Sequence, residues 1–196
     1  MQPNPKYRLL LGIACGYSIL LFFVANYLPV ITNGLAAMLT WVVYAKIVRG
    51  VVVFMAALIT FVFYISWRSI PRRRLFVKQL LLFAFLSWRL LGQLGDSVNE
   101  YIHYPQYATC VLLWHAALKR ISGAADSVPV FSTLVRRHSP LAAAIAISLL
   151  LGIAEESYQY FAPRRRFDIM DIALNIMGVW LGAILVWILA ESDPEN

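Results

Sequence analysis

Long apolar runs constrain this chain more than any other feature of its sequence. A helix that crosses a bilayer needs about 20 mostly apolar residues, and runs of that order recur from Leu9 almost to the end of the chain. Hydrophobic residues make up 61% of the sequence and charged residues 14%, whereas soluble domains average about 45–50% and about 25%. This balance predicts a protein whose solvent is largely a lipid bilayer.

Six apolar segments are candidate spans, at residues 9–30, 50–67, 75–95, 105–118, 140–155 and 169–190. We expect Asn33-Gly34 to end the first helix and residues 35–49 to lie at the membrane interface. Helices satisfy their own backbone groups in hydrocarbon, and the alternating segments of a β-barrel are absent. The sequence therefore predicts an all-α, polytopic transmembrane helical bundle of about six spans. Four or five spans remain an alternative, because Lys78 and Arg89 interrupt the third segment and the fourth segment is short.

The chain length suits one compact bundle. We divide it into three parts. Residues 1–94 hold the N-terminal transmembrane helices and a basic cytoplasmic loop, residues 95–190 a second transmembrane domain, and residues 191–196 a short acidic tail.

Basic residues lie mainly between the apolar segments, and the net charge is +7. Because short cytoplasmic loops are enriched in Lys and Arg, we expect a cytoplasmic N-terminus. With this orientation, residues 95–105 and 156–168 face outside. Arg164-Arg165-Arg166 is then expected on the outer side, contrary to the enrichment of basic residues in cytoplasmic loops. No basic and aromatic stripe follows a polar element, so we expect membrane lipids as partners and no nucleic acid.

The sequence predicts no cofactor and no metal centre. It contains no nucleophile elbow, no HExxH motif and no glycine-rich phosphate loop. Cys15 and Cys110 lie in apolar stretches without CxxC spacing, which is typical of small buried hydrophobes.

One polar element precedes the fourth segment. Pro105 suits the first turn of a helix because it has no N–H to offer, so Glu100 and His103 should lie at the mouth of this span, and Tyr107 follows one turn later. His103 suits proton transfer or metal ligation. The alternative is that it hydrogen-bonds a carboxylate and holds two helices together.

A second polar element closes the fifth segment. Glu155 and Gln159 are one helical turn apart and share a face, whereas we expect the adjacent Glu156 to point elsewhere. Only one carboxylate should therefore join any one cluster. Pro163 is expected to end this helix.

A polar stripe opens the sixth segment, where Asp168, Asp171 and Asn175 are spaced by three and four residues. Gly178 and Gly182 continue it with the spacing that allows helices to approach closely. Spacing leaves two interpretations open. The polar residues serve as packing contacts with arginines paired to the aspartates, or they line a polar cavity that faces outside.

Together these residues resemble the signature of the VanZ-like family. That signature combines an acidic pair, a glutamine, a Pro-Gly-Arg turn, an Asp-x-x-Asp-x-x-x-Asn run and spaced glycines, with a His-aromatic-x-x-Tyr element upstream. The matching residues are His103, Tyr104, Tyr107, Glu155, Glu156, Gln159, Pro163, Arg165, Asp168, Asp171, Asn175, Gly178 and Gly182. Glu155 occupies a position that is usually Asp in the signature. Glu100 occupies a position that is either Glu or Lys among members. Arg164 replaces the glycine of the turn.

The resemblance covers about residues 95–190 and makes these residues the VanZ-like transmembrane domain. It implies a small bacterial cytoplasmic-membrane protein. The family takes its name from a protein that confers teicoplanin resistance. It is a better guide to fold and location than to activity. The implied binding residues are Glu100, His103, Tyr107, Glu155, Glu156, Gln159, Arg165, Asp168, Asp171 and Asn175.

Three functional hypotheses follow. The first is an accessory or binding protein that recognises a lipid headgroup, a cell-envelope precursor or an antibiotic, or modulates another membrane protein. Arg165 would suit a phosphate, since guanidinium binds it bidentately. The second is an enzyme that uses His103 and carboxylates for acid–base chemistry, or His103, Glu156 and Asp168 for metal-assisted hydrolysis. The third is a purely structural subunit of a larger membrane assembly.

Overall fold

The described part of the chain is almost entirely helical. The structure, a computed structural model, describes residues 5–66, 73–93, 98–122, 133, 138–161 and 167–191, and within these ranges it contains no strand. The helices are, in order, α1 Pro5–Leu39, α2 Trp41–Ser66, α3 Arg73–Gln93, the 3-10 helix Val98–Ile102, α4 His103–Ser122, α5 Pro140–Phe161 and α6 Ile169–Glu191. The predicted all-α class is confirmed.

Five of the described helices are long and apolar enough to cross a membrane. The qualifying stretches are Tyr7–Val24, Trp41–Ile65, Arg73–Gln93, Pro140–Phe161 and Ile169–Leu189. The helix at the predicted fourth span, α4, is not among them, because it carries His103, Gln106, His115, Lys119 and Arg120. Most of its side chains are buried or half-buried, and a helix covered by neighbours need not be apolar on every face.

The predicted break at Asn33-Gly34 is wrong. Helix α1 runs through both residues to Leu39, and the chain turns at Thr40, whose φ of 62° is left-handed. Helix α2 then begins at Trp41, so residues 35–49 are divided between two helices and form no separate interfacial segment. A glycine inside a helix costs only about 1 kcal/mol, whereas broken backbone hydrogen bonds cost several kcal/mol each in hydrocarbon.

Two compact units make up the molecule. Unit 1 comprises residues Met1–Asn26 and His103–Val186, and unit 2 comprises Tyr27–Ile102 and Trp187–Asn196. Helices α1 and α6 therefore each contribute residues to both.

Unit 1 is built around α4, which packs against α5. Its core combines side chains from α1, α4, α5 and α6. Two polar contacts tie α1 to α4: Trp114 Nε1 donates to Ser18 Oγ over 3.1 Å, and Tyr17 Oη donates to the backbone oxygen of Gln106 over 2.9 Å. Cys110 is buried and Cys15 half-buried, both as free thiols.

Unit 2 has a small aromatic core. Phe63 stacks on Phe76 with ring centroids 4.7 Å apart, and Trp187 lies 5.4 Å from Phe76. Near the start of α2, the buried Tyr44 packs with Tyr101 of the 3-10 helix. Most side chains of α2 and α3 are exposed, as expected of helices that present apolar surface to lipid.

Candidate functional site

Buried polar side chains gather at one end of unit 1. His103 is the first residue of α4, Glu155, Glu156 and Gln159 lie in the last two turns of α5, and Asn175 lies in the second turn of α6. All five are buried. Since consecutive helices run in opposite directions, the start of α4, the end of α5 and the start of α6 meet at the same end. We call these side chains, with Tyr107 and Asp171, the polar cluster.

His103 joins α4 to α6. Its Nδ1 lies 2.7 Å from Oδ1 of Asn175, and Asn175 Nδ2 points to the backbone oxygen of Gly152 in α5 at 3.5 Å. Because an amide oxygen only accepts, His103 Nδ1 carries the proton of this contact. In a neutral imidazole, Nε2 is then left with a lone pair.

Asp171 faces the other side of the imidazole. Its Oδ1 lies 3.8 Å from His103 Nε2, and the Asp171 side chain is 13% exposed. This distance is too long for a direct hydrogen bond but within the range of an ion pair with protonated His103. Asp171 forms the partly accessible edge of the polar cluster, and its place in the first turn of α6 suits a negative charge.

Tyr107 joins α4 to α5 by donating a short hydrogen bond to Oε2 of Glu155. Both residues are buried, Tyr107 completely. A phenol that donates to a carboxyl oxygen satisfies a group that would otherwise be costly at this depth.

Glu156 is also buried, with 0% exposure, so the expectation that it points away from the cluster is wrong. Gln159 Nε2 donates to Glu156 Oε1 over 2.9 Å. Helix α5 is covered widely enough at this end to bury adjacent residues 100° apart. Among the described residues, Glu156 Oε2 has no hydrogen-bond partner.

Close helix contacts hold the cluster. A Cβ on Gly178 would lie 2.5 Å from the backbone oxygen of His103, and one on Gly182 would lie 2.8 Å from that of Ala108. These glycines allow α6 to touch the backbone of α4, as their spacing predicts. Gly152 of α5 is similarly close, since its Cβ would lie 3.1 Å from Cβ of Asn175.

The side chain of Asp168 is not part of the polar cluster. Asp168 precedes α6, is exposed, and accepts the backbone N–H of Met170 on Oδ1 over 2.8 Å. It therefore caps the helix, a role that aspartate favours, and does not continue the stripe of Asp171 and Asn175. Glu100 lies in the 3-10 helix of unit 2. Arg165, with its neighbours Arg164 and Arg166 and with Pro163, lies outside the described residues.

Comparison with known proteins decides the family. The VanZ/LLP1 family model matches residues 17–190, which is most of the chain. The chain belongs to the VanZ/LLP1 family. No curated protein and no solved structure matches it. The match begins at Tyr17, so it takes in most of α1 and all of α2 and α3, which the resemblance at residues 95–190 does not reach.

Family membership and five span-length apolar helices together make this VanZ/LLP1 chain a multi-span membrane protein. Its polar cluster therefore lies in a bundle whose outer surface meets lipid. Polar groups in such a position are expensive and usually mark a functional site.

Some structural contributors to this VanZ/LLP1 site were not predicted. Gly152 lies one turn before Glu155, and its missing side chain leaves room for Asn175 and Tyr107. A Cβ added to Gly152 would lie 3.2 Å from Cε1 of Tyr107. A glycine inside an otherwise apolar helix was the available signal. The contacts of Ser18 with Trp114 and of Tyr17 with Gln106 had no signal, because each joins residues about 90 positions apart.

The chemistry of the cluster is acidic. Unit 1 brings together three carboxyl groups and one imidazole, and none of its described Lys or Arg residues belongs to the cluster. A lone pair on His103 Nε2 beside a carboxylate is suited to accepting a proton or binding a donor.

Proposed function

We propose that this protein is a membrane-embedded recognition protein. Its polar cluster binds the headgroup of a membrane lipid or of a lipid-linked cell-envelope precursor. The observation that carries the proposal is Glu156, a fully buried carboxyl group with one oxygen unpartnered among the described residues. A helix bundle surrounded by lipid does not tolerate such a group without compensation, and a polar ligand would compensate it.

The position of the cluster suits this role. Helix α4 carries His103 at one end and Lys119 and Arg120 in its last turn at the other, about 24 Å away at 1.5 Å per residue. Basic helix ends favour the cytoplasmic side. We therefore propose that the protein lies in the bacterial cytoplasmic membrane with its N-terminus inside and the polar cluster near the outer face, where envelope precursors and antibiotics arrive.

Lipid retention tests the proposal. Full-length protein would be purified from a bacterial membrane in mild detergent and analysed by native mass spectrometry. Wild-type protein should carry a lipid or lipid-linked adduct. Glu156→Gln, which keeps the side-chain shape, should lower retention by about tenfold, which corresponds to about 1.4 kcal/mol.

Asp168→Asn is the matched control. It also converts a carboxylate to an amide, but on an exposed residue whose capping role asparagine preserves, so it should retain the adduct. Wild-type protein without any adduct, or equal retention by all three proteins, contradicts the proposal.

A further inference from the structure

Several hydrogen-bond donors of the polar cluster are used within it. Tyr107 Oη donates to Glu155 and Gln159 Nε2 to Glu156 Oε1. His103 Nδ1 donates to Asn175, whose own Nδ2 points to a backbone oxygen. Within the polar cluster, the buried atom that has no hydrogen-bond partner among the described residues is an acceptor, Glu156 Oε2. A matching ligand must therefore bring N–H or O–H groups.

The charge around Glu156 points to a cation. The groups that act on it are Asp171 and Glu155, which repel a carboxylate, and His103, which attracts one when protonated; the backbone N–H of Asp168 also faces it. Glu156 lies in the last two turns of α5, where the helix dipole disfavours a negative charge. Asp171, in contrast, begins α6, where the dipole favours one.

Four kinds of partner could satisfy Glu156: a proton, a water molecule, a divalent cation or an ammonium group. A proton on Oε2 replaces an unpartnered acceptor with an unpartnered donor. A water molecule supplies a donor but no charge. Magnesium and calcium supply charge, but each takes about six or more oxygen ligands and so needs waters or further oxygens besides the carboxyl groups of the cluster. An ammonium group supplies both a positive charge and three N–H donors.

We propose that the polar cluster binds a protonated primary amine, with Glu156 as its charged partner and Asp171 at the entrance. The ligand class follows from the unpartnered oxygen and the excess of carboxyl groups, and it rests on the proposed function. An amine of this kind is found on an ethanolamine lipid headgroup and on small free amines, and both present the same chemistry to the site.

The test compares headgroups that differ in N–H donors. Delipidated full-length protein would be titrated with phosphatidylethanolamine, phosphatidylcholine or phosphatidylglycerol of identical acyl chains, and bound lipid counted by native mass spectrometry. Phosphatidylcholine is the matched control, because methylation removes its N–H groups and keeps its charge. Wild-type protein should prefer the ethanolamine lipid by at least about tenfold, or about 1.4 kcal/mol.

Substitutions in the protein and competition by free amines test which groups recognise the ligand. Glu156→Gln should bring the three lipids to equal retention, whereas Asp168→Asn should keep the preference. Displacement of the ethanolamine lipid by free ethanolamine but not by choline supports recognition of the amine alone. Failure of free ethanolamine to compete, with the lipid preference intact, supports an amine carried by a lipid.

The outcomes that would contradict the amine proposal differ from those that would contradict the proposed function. Equal retention of the three lipids by the wild type, or preference for phosphatidylglycerol, overturns the amine proposal and leaves headgroup recognition standing. A preference that survives Glu156→Gln overturns the role of Glu156. No bound lipid and no response to ethanolamine contradict the proposed function itself. The wild-type comparison decides the question even where Glu156→Gln fails to fold.

Discussion

His103 Nδ1 lies 2.7 Å from Asn175 Oδ1, and this contact joins the first residue of α4 to the second turn of α6. It fixes the tautomer of a histidine buried beside carboxyl groups. Neutral His103 should therefore carry its proton on Nδ1, in contrast to the Nε2 form that predominates in free imidazole side chains. Nitrogen-15 NMR of labelled protein distinguishes the two. A spectrum of His103 in the Nε2–H form contradicts the contact, and Asn175→Ala should weaken the preference for Nδ1–H.

Gly178→Ala should destabilise unit 1. The added methyl group would lie 2.5 Å from the His103 oxygen and 2.8 Å from Tyr107 Cβ, and neither the backbone nor a packed helix can move away freely. Overpacking of this kind costs about 1–3 kcal/mol. Gly16→Ala is the control, because nothing lies within 4 Å of its added Cβ, so its effect should stay within about 1 kcal/mol. Reversible unfolding in mixed detergent measures both, and equal effects would show that α4 and α6 do not touch here.

Tyr107→Phe should remove the donor to Glu155 without creating a large cavity. Hydrogen bonds to charged groups contribute about 1.5–3 kcal/mol, so the variant should unfold more easily by about that amount. A double-mutant cycle with Glu155→Gln isolates the pair, and the coupling should be on the order of 0.5–3 kcal/mol. Additive effects of the two substitutions would mean that the residues do not interact.

Ser18→Ala should cost more than Ser157→Ala. Each hydroxyl donates to the backbone oxygen four residues earlier, but Ser18 is buried and also accepts from Trp114 Nε1. Its removal leaves a buried indole N–H without that acceptor, at a cost of about 1–3 kcal/mol. The exposed Ser157 is the matched control. Unfolding in detergent checks the difference, and equal stability of the two variants would contradict the contact between α1 and α4.

Cysteine labelling should locate the two ends of unit 1. In a background lacking Cys15 and Cys110, Phe167→Cys should react with a membrane-impermeant thiol reagent on intact cells. Lys119→Cys should react only after the membrane is opened. Both positions are exposed, and the expected difference follows from the basic last turn of α4. The reverse pattern would invert the proposed orientation and move the polar cluster to the cytoplasmic side.

Much of this architecture follows from the sequence. Apolar runs of span length fix the helical class because hydrocarbon offers no other partner for the backbone. Alternating helix direction brings His103, Glu155 and Asp171 to one end, and the spacing of Gly178 and Gly182 predicts a close contact that the structure contains. Each of these inferences depends on local pattern or on chain order.

What remained undetermined depends on neighbours distant in sequence. Helical periodicity assigns Glu155 and Gln159 to one face, but only the packing of α5 among other helices decides that Glu156 is buried as well. Spacing places Asp168 and Asp171 on one stripe, yet the start of α6 makes Asp168 a cap and leaves Asp171 to face His103. The sequence determined which side chains share an end of the bundle. The tertiary structure decided their partners, because the width of a buried face and the exact helix start depend on how closely the helices pack.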